Sequence, residues 1–434
     1  MNVTAGAADP RTTDLTSAPD APAPGITRGL PRVADDRLAE LRDRIATTRL
    51  PRTAPAAASA PGPGADLAER LLAHWHDEFD WRAIEERVEQ LGHLTTTTAD
   101  GRRLAAIHAD AAADRTTGDS TADAGVPILL VHGWPDSPLR FLDLIPLLTA
   151  AGHEVVAPAI PGYWYSDEPE GEMSRELAAE DFHALMTALG HDRYAVHGGD
   201  WGAAVAQSIA QNHPESVVGL HLTDVPFDLA YTIDRDSAGP AEIAYLDAIE
   251  KFGAEALYLI GNTTAPNLVA TALQDSPIGL ASWIGALYDA WSDDRIDAEH
   301  VIANAAALLL TDTVRSSMRL YSEPAQAWDD SAWSGEADTA EWSGEADTAE
   351  WSGEADTAEW SGEADAGGWA PTPVTVPTAF ALFPADLGVA PKELADRYFA
   401  VERFTVMPRG GHFAALEQPT AVATDLVEFL AGRS

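Results

Sequence analysis

The chain has 434 residues, a formal net charge of −42 at pH 7 and no cysteine. Its length allows one large α/β domain with appendages or two domains, and the missing cysteines exclude disulfides, thiolate catalysis and cysteine-based metal sites. Nucleic acid and anionic membranes bind basic faces, so a chain this acidic is a poor partner for either. Apolar runs fall short of the roughly 18 residues of a membrane span, and the N-terminus lacks the apolar core of a signal peptide. We therefore expect a cytoplasmic protein without a membrane anchor.

The acidity has two candidate causes. High genomic GC content enriches Ala, Arg, Asp and Gly, whereas a high-salt cytoplasm favours dense hydrated carboxylates whose mutual repulsion is screened. Lys251 and Lys392 are the only lysines, so arginine supplies nearly all of the positive charge. We favour the salt explanation, an acidic proteome of a halophile, because GC bias alone does not require so uneven a charge.

The N-terminal part is predicted to be a tail followed by helices. Residues 1–28 are polar and rich in Ala, Pro and Thr, which is typical of a disordered tail. Residues 33–50 have helical periodicity, residues 55–64 form an Ala/Pro/Gly linker, and residues 67–91 predict two further helices. The tryptophans of these helices indicate packing on another surface, so residues 29–100 are expected to pack on the main domain.

The main domain is predicted to alternate strands and helices, which favours an α/β fold with a mostly parallel, doubly wound sheet. The strand-like runs are residues 103–109, 127–131, 154–159, 194–197, 217–222, 375–383 and 404–407. Residues 101–224 and 370–434 would form the two parts of this core. The mainly helical residues 225–328 would form a lid over the strand ends, where open α/β sheets bind ligands.

An acidic low-complexity insertion is predicted at residues 329–369. The unit WSGEADTAE begins at Trp333, Trp342 and Trp351, and a truncated copy begins at Trp360. The acidic residues lack the dense oxygen-ligand spacing of calcium loops, so a solvated loop is the preferred interpretation.

The pentapeptide GGDWG at residues 198–202 follows the run 194–197 and precedes a helical stretch. This spacing is that of a nucleophile elbow, in which glycines permit a sharp turn that exposes the central side chain. The central residue is Asp200, and a carboxylate nucleophile forms an alkyl ester by displacement at a saturated carbon. The elbow therefore indicates chemistry at an epoxide or at a carbon–halogen bond.

Three other segments agree with Asp200 as the nucleophile: the HGWP turn, the turn that carries His412, and the segment of an acid that would orient this histidine. The HGWP turn at residues 132–135 ends a strand, and the backbone N–H of Trp134 together with that of Trp201 is predicted to form an oxyanion hole. His132 of this turn is interpreted as structural. His412 follows the last strand on a Gly-Gly turn, where a general base reaches the elbow.

An acid is needed to orient His412, and the chain order nucleophile, acid, histidine is that of α/β hydrolases. Asp386 follows the penultimate strand-like run. Asp224 and Asp228 follow the preceding one and are its rivals, and position alone does not decide between them.

Taken together, these motifs resemble the epoxide hydrolases of the α/β-hydrolase superfamily, above all the microsomal type and its soluble bacterial relatives with a helical N-terminal region. The resemblance runs from about residue 33 to residue 430. The matching segments are FDWR (79–82), HGWP (132–135), PGY (161–163), GGDWG (198–202), DSPIGL (275–280) and RGGHFAA (409–415).

The resemblance implies roles for particular residues. It favours Asp386 as the charge-relay acid, although the microsomal type often has glutamate there, and it implies that the lid tyrosines Tyr258 and Tyr321 hold the epoxide oxygen. Two phenols suit an alkoxide leaving group, because they stabilise developing negative charge and can supply a proton. Trp164 replaces a residue that is small in the family, and it would narrow the substrate pocket if it points inward.

We therefore predict an epoxide hydrolase that forms a vicinal diol from a small-molecule epoxide and water without cofactor or metal, with a role in detoxification. One alternative is a haloalkane dehalogenase, which also uses an elbow aspartate followed by tryptophan. The other is an inactive hydrolase fold that acts as a binding protein through its Trp-rich repeats.

Overall fold

The computed structural model describes residues 25–29, 31–51, 66–112, 125–323 and 371–433. Three predicted segments lie outside these ranges: the tail up to residue 24, the linker at residues 55–64 and the repeat insertion at residues 329–369.

Within the described ranges, nine strands form one sheet in the order β1-β2-β3-β5-β4-β6-β7-β8-β9. The strands are β1 (Thr27–Arg28), β2 (His93–Thr97), β3 (Arg103–Ala109), β4 (Gly125–Val131), β5 (His153–Pro158), β6 (Tyr194–Gly198), β7 (Val217–Leu222), β8 (Val374–Leu382) and β9 (Phe399–Val406). Pairing is parallel from β5 through β4, β6, β7 and β8 to β9, and antiparallel along β1, β2, β3 and β5. The predicted, mostly parallel α/β sheet is confirmed.

Two strands were not predicted. In β1, Thr27 pairs with Thr95 and Arg28 with Leu94 of β2, so the predicted boundary of the disordered tail at residue 28 is wrong. The physical reason is that an edge strand offers unpaired backbone N–H and C=O groups, and even two residues can pair with them. So short a segment carries no period that a sequence pattern can detect.

Helices cover both faces of the sheet and connect its parallel strands, as parallel pairing requires. They are α1 (Asp35–Ala46), α2 (Asp66–Asp77), α3 (Trp81–Leu91), α4 (Ile145–Ala150), α5 (Arg175–Ala188), α6 (Trp201–Asn212), α7 (Pro240–Glu255), α8 (Leu257–Thr264), α9 (Pro266–Asp275), α10 (Pro277–Trp291) and α11 (Ala298–Leu310), followed by helices Lys392–Tyr398, Ala414–Glu417 and Pro419–Leu430. Side chains cap several of these helices: Asp80 accepts a hydrogen bond from the N–H of Arg82 at the start of α3, and Ser276 accepts one from Gly279 in α10. None of the helices in the described ranges is long and apolar enough to cross a membrane.

The N-terminal helices contact both the sheet and the lid. Helix α2 packs against α10 and α11, and α3 packs against β3. The apolar side of α2 buries Leu71 and Trp75, and α3 buries Trp81, which accounts for the tryptophans in this otherwise polar region. Within this region, α3 thus contacts the sheet and α2 contacts the lid.

The lid helices α7 to α11 lie between β7 and β8 in the chain and are joined to the loop after β4 by buried polar groups. The Asn304 amide of α11 donates to the Pro135 carbonyl at 2.7 Å, and Ser137 Oγ donates to Asn304 Oδ1 at 2.8 Å. Tyr288 of α10 donates its hydroxyl to Asp136, which also pairs with Arg140 at 2.8 Å. This lid anchor (Asp136, Ser137, Arg140, Tyr288 and Asn304) holds the lid against the strand ends.

Candidate active site

Asp200 stands at the sharp turn between β6 and α6. Its backbone has φ 58° and ψ −134°, a conformation that residues with a side chain rarely adopt. The flanking glycines are required by close backbone approach. A Cβ atom on Gly198 would lie 2.3 Å from the Gly202 carbonyl oxygen, and one on Gly202 would lie 2.2 Å from that of Val131. The sequence therefore folds here into the predicted elbow.

Backbone hydrogen bonds position Asp200 on both sides. The N–H of Trp134 donates to Asp200 Oδ1 at 2.8 Å, and the N–H of Asp200 donates to Asp224 Oδ2 at 2.6 Å. The neighbouring Gly133 cannot carry a side chain, because its Cβ would lie 2.3 Å from Asp200 Oδ1. Trp134 N–H thus binds one of the two carboxylate oxygens of Asp200. The second predicted donor, Trp201 N–H, belongs to the first residue of α6.

His412 lies between Asp386 and Asp200. Its Nδ1 is 2.7 Å from Asp386 Oδ1 and forms a hydrogen bond with it. Its Nε2 is 3.3 Å from Asp200 Oδ2 but lacks the alignment of a hydrogen bond, which leaves this nitrogen able to engage a water molecule. The backbone N–H of His412 donates to the Trp291 carbonyl at 2.8 Å, so the lid helps to hold the histidine.

Two carboxylates control the charge of His412. Burial lowers the pKa of the imidazole, but the negative charges of Asp386 and Asp200 outweigh burial and hold this pKa well above its ordinary value. The resting site therefore contains an imidazolium between two carboxylates. Loss of either negative charge would lower the pKa of His412.

The sheet brings these residues together because the carboxyl ends of parallel strands meet at one edge. Asp200 follows β6, Asp386 follows β8 and His412 follows β9. Strand β7 lies between β6 and β8, so the residues after β7 are also at this edge.

The two predicted lid tyrosines face the elbow. The Tyr258 ring stacks on Trp134 at 5.0 Å with an interplanar angle of 7°, and the Tyr321 ring meets Trp134 edge-on at 5.7 Å and Trp201 at 5.3 Å. The two phenol rings are 5.9 Å apart and perpendicular. Burial raises the pKa of both phenols well above the ordinary value. The charge of Asp200 adds to this effect for Tyr258, and Tyr258 and Asp200 add to it for Tyr321. Both therefore remain protonated donors.

At the site, one residue is missed by the sequence patterns, and another has a different role from the one they indicate. Trp291 at the end of α10 places its ring 5.4 Å from His412 and 5.2 Å from Tyr258. From its sequence position, Asp224 is only a rival relay acid, although its carboxyl group binds the backbone N–H of Asp200. The apolar end of α10 gives no sign that its tryptophan contacts His412. The position of Asp224 close after a central strand, in contrast, is a signal that sequence reasoning can use.

The structure does not bring Trp164 to this cluster. Its buried ring contacts His93 at 5.2 Å and Tyr165 at 5.0 Å, beside β2. The interpretation of Trp164 as a residue that narrows the substrate pocket is therefore corrected: its ring packs against His93 of β2 and against Tyr165. Its backbone φ of 50° turns the side chain in a direction that an ordinary extended residue would not take.

His132 and Asp228 also serve other parts of the structure. The N–H of Ile160 donates to His132 Nε2 at 3.0 Å, and burial lowers the pKa of this imidazole to about 3, so it stays neutral. This arrangement is structural, as expected. Asp228 pairs with Arg175 at 2.7 Å, whereas Asp386 is the residue that contacts His412.

Comparison with known proteins agrees with the fold and the elbow. Residues 29–141 match the family described as "Epoxide hydrolase N terminus", and residues 126–274 match the "alpha/beta hydrolase fold". The chain is 31% identical to the "Putative epoxide hydrolase" of Stigmatella aurantiaca, over 93% of this chain and 84% of that protein. It is 27% identical to "Epoxide hydrolase 1" of Oryctolagus cuniculus, over 92% and 87% of the two chains.

Solved structures show the same fold. The epoxide hydrolase of Aspergillus niger superposes with a TM-score of 0.73 at 22% identity, covering 94% of this chain and 96% of that one. The juvenile hormone epoxide hydrolase of the silkworm Bombyx mori superposes with a TM-score of 0.74 at 22% identity and covers 94% of both chains.

The strand order, the elbow and the histidine after the last strand define an α/β hydrolase. Within that class, the chain belongs to the epoxide hydrolase family. It is a hydrolase that acts on epoxides, and this favours the predicted activity over the haloalkane dehalogenase and the inactive binding protein.

Proposed function

We propose that the enzyme opens its epoxide through a covalent ester of Asp200, which a water molecule activated by His412 then hydrolyses to release a vicinal diol. The observation that carries this proposal is the position of the Asp200 carboxylate, which has a backbone donor at one oxygen, His412 at the other and the lid tyrosines beside it. Trp134 N–H binds its Oδ1, His412 lies 3.3 Å from its Oδ2, and the lid tyrosines pack on the Trp134 and Trp201 rings beside it.

In the first step, Asp200 Oδ2 forms a bond to an epoxide carbon while the bond from that carbon to the ring oxygen breaks. The oxygen takes a proton from Tyr258 or Tyr321, whose hydroxyl groups are held protonated. Alkylation removes the negative charge of Asp200, and the pKa of His412 falls. The imidazolium then supplies the proton that restores the phenol, and it becomes neutral.

In the second step, neutral His412 takes a proton from water through Nε2 while the water oxygen attacks Cγ of Asp200. Negative charge collects on Oδ1, which the N–H of Trp134 already contacts at 2.8 Å. The ester bond breaks, the departing oxygen takes the proton of the new carboxyl group, and the diol leaves. Asp200 is again a carboxylate and His412 an imidazolium, oriented by Asp386.

The two half-reactions can be separated by a variant that lacks the base and keeps the nucleophile. A His412→Gln variant keeps Asp200 and the tyrosines, so it should form the ester and fail to hydrolyse it. Intact mass spectrometry after incubation with an aryl epoxide is expected to show an increase equal to the mass of the epoxide, on the peptide that contains Asp200. The matched control is Asp200→Asn/His412→Gln, which should show no increase. An unmodified His412→Gln protein that still forms diol would disprove the covalent mechanism.

The wider organisation of the molecule belongs to the same proposal. Residues 29–100 would be a helical N-terminal region, residues 101–224 and 370–434 the two parts of the hydrolase core, and residues 225–328 the lid, with the acidic insertion at 329–369 between lid and core. We place the enzyme in the cytoplasm, as an acidic protein suited to high salt that removes reactive small-molecule epoxides with water as its only co-substrate. The support for this is the charge of −42 and the continuous lid from α7 to α11.

A further inference from the structure

Asp224 occupies a position between the nucleophile and the relay acid. It is the second residue after β7, and β7 pairs with β6 on one side and with β8 on the other. Its Oδ2 accepts the N–H of Asp200 at 2.6 Å. Polar atoms of Asp224, Asp386 and His412 all lie within 4.8 Å of one another. Asp224 therefore touches the nucleophile's backbone and also faces the pair that activates water.

We propose that Asp224 is a positioning residue with two effects: it fixes the elbow of Asp200, and it shares with Asp386 the control of His412 protonation. This proposal rests on the covalent mechanism proposed above. It adds a third carboxyl group to the site, which contains Asp200, Asp224 and Asp386 around one histidine.

A carboxyl group that lies close to other carboxylates is harder to ionise, because like charges repel each other. Asp386 has two donors, His412 Nδ1 at 2.7 Å and the N–H of Leu387 at 2.6 Å. Burial and the charge of Asp386 raise the pKa of Asp224 to about 7, although His412 and the Asp200 N–H partly oppose this. From the lid, Tyr245 of α7 also faces Asp224 and Asp386, and burial keeps this phenol neutral.

The charge of Asp224 should change during the reaction. Alkylation of Asp200 removes one of the negative charges that disfavour ionisation of Asp224, and the proton loss of His412 that follows removes a positive charge that favours it. When His412 takes a proton from the attacking water, Asp224 ionises more readily beside it than in the resting site, because Asp200 no longer carries a charge. Its carboxylate then stabilises the imidazolium that forms while water attacks the ester. Ionised Asp224 raises the pKa of His412, and a neutral side chain at this position would leave that pKa lower.

The Asp224→Asn variant tests this directly. The amide oxygen can still accept the N–H of Asp200, but it cannot become negative. Single-turnover decay of the alkyl-enzyme, formed from styrene oxide, would be followed from about pH 5 to about pH 8. A nearby charge shifts a pKa by roughly 1–3 units, so the midpoint of the decay rate should move to lower pH by about one unit.

Asp228→Asn is the matched control, because Asp228 lies in the segment after the same strand but pairs with Arg175. Its midpoint should equal that of the wild type. An unchanged midpoint in Asp224→Asn would overturn the proposal, and so would a variant with lower stability or rate but an unshifted profile, since these describe a structural role only.

Two further measurements keep the proposal testable. If Asp224→Asn does not fold, Asp224→Ser offers a neutral acceptor for the same N–H. If neither variant folds, the titration of the His412 ring in the wild type, followed by NMR, should show two coupled steps, and a single step would overturn the proposal. If the wild type forms no alkyl-enzyme at all, the covalent mechanism itself fails and this proposal fails with it.

Discussion

Asp200 has a strained backbone conformation, and hydrogen bonds hold both its backbone and its side chain. A non-glycine residue in a sparsely populated backbone region costs on the order of 1–3 kcal/mol, and Asp200 has φ 58°. The hydrogen bonds to Trp134 N–H and from Asp200 N–H to Asp224 offset this cost. One carboxylate oxygen is thereby held at Trp134 N–H, and the other faces His412.

The phenols of Tyr258 and Tyr321 are expected to act as donors in ring opening. Replacing either with Phe should lower the rate of alkyl-enzyme formation by about 10²–10³-fold, the effect of removing one preorganised donor, and the rate of ester hydrolysis should change little. Because the pKa of both phenols is raised, neither should lose its proton as pH rises to about 10, the ordinary value for Tyr.

Single-turnover quench-flow would separate these two rates. Tyr398→Phe, at the end of helix Lys392–Tyr398, is the control and should match the wild type. If the lid variants slowed hydrolysis and left alkylation unchanged, the tyrosines would have a different role.

At the scale of elements, the site depends on strand ends and on how the lid is held over them. Patterns of apolar residues and turns predicted seven strands, the elbow and the histidine turn, because each is local in sequence. The direction of the Trp164 ring, the contact between Trp291 and His412, and the pairing of Thr27 with Thr95 depend on packing between distant segments. No local pattern contains that information.

The lid anchor is expected to contribute to stability. Arg140 and Asp136 are both buried and lie 2.8 Å apart, and removing one partner of a buried pair costs about 3–5 kcal/mol. Arg140→Met should therefore lower the free energy of unfolding by about this amount in urea titrations. Arg235→Met is the matched control, because Arg235 pairs with Asp247 at an exposed position, where such pairs contribute about 0–1 kcal/mol. Equal effects in the two variants would contradict the assigned role of the anchor.

At the scale of the whole molecule, the charge of −42 should make stability depend on salt. The Debye length falls from about 10 Å at 0.1 M to about 3 Å at 1 M salt, so repulsion between surface carboxylates weakens. We expect the Tm to rise when KCl is increased from about 0.1 M to about 1 M.

The acidic repeats are a minor part of this effect, because the remaining chain is still strongly acidic. A variant without residues 332–363 should keep both the salt dependence and its epoxide turnover. A Tm that does not change with salt would favour genomic composition as the cause of the acidity.

The central claim is that water attacks Cγ of Asp200 and not the epoxide. It is tested most directly by one turnover of excess wild-type enzyme in water enriched in ¹⁸O, followed by mass spectrometry of the diol and of the peptide that contains Asp200. The covalent mechanism predicts ¹⁸O in the Asp200 carboxylate and none in the first-turnover diol, whose new oxygen comes from Asp200. A labelled diol and an unlabelled Asp200 would show direct attack of water on the epoxide and would contradict it.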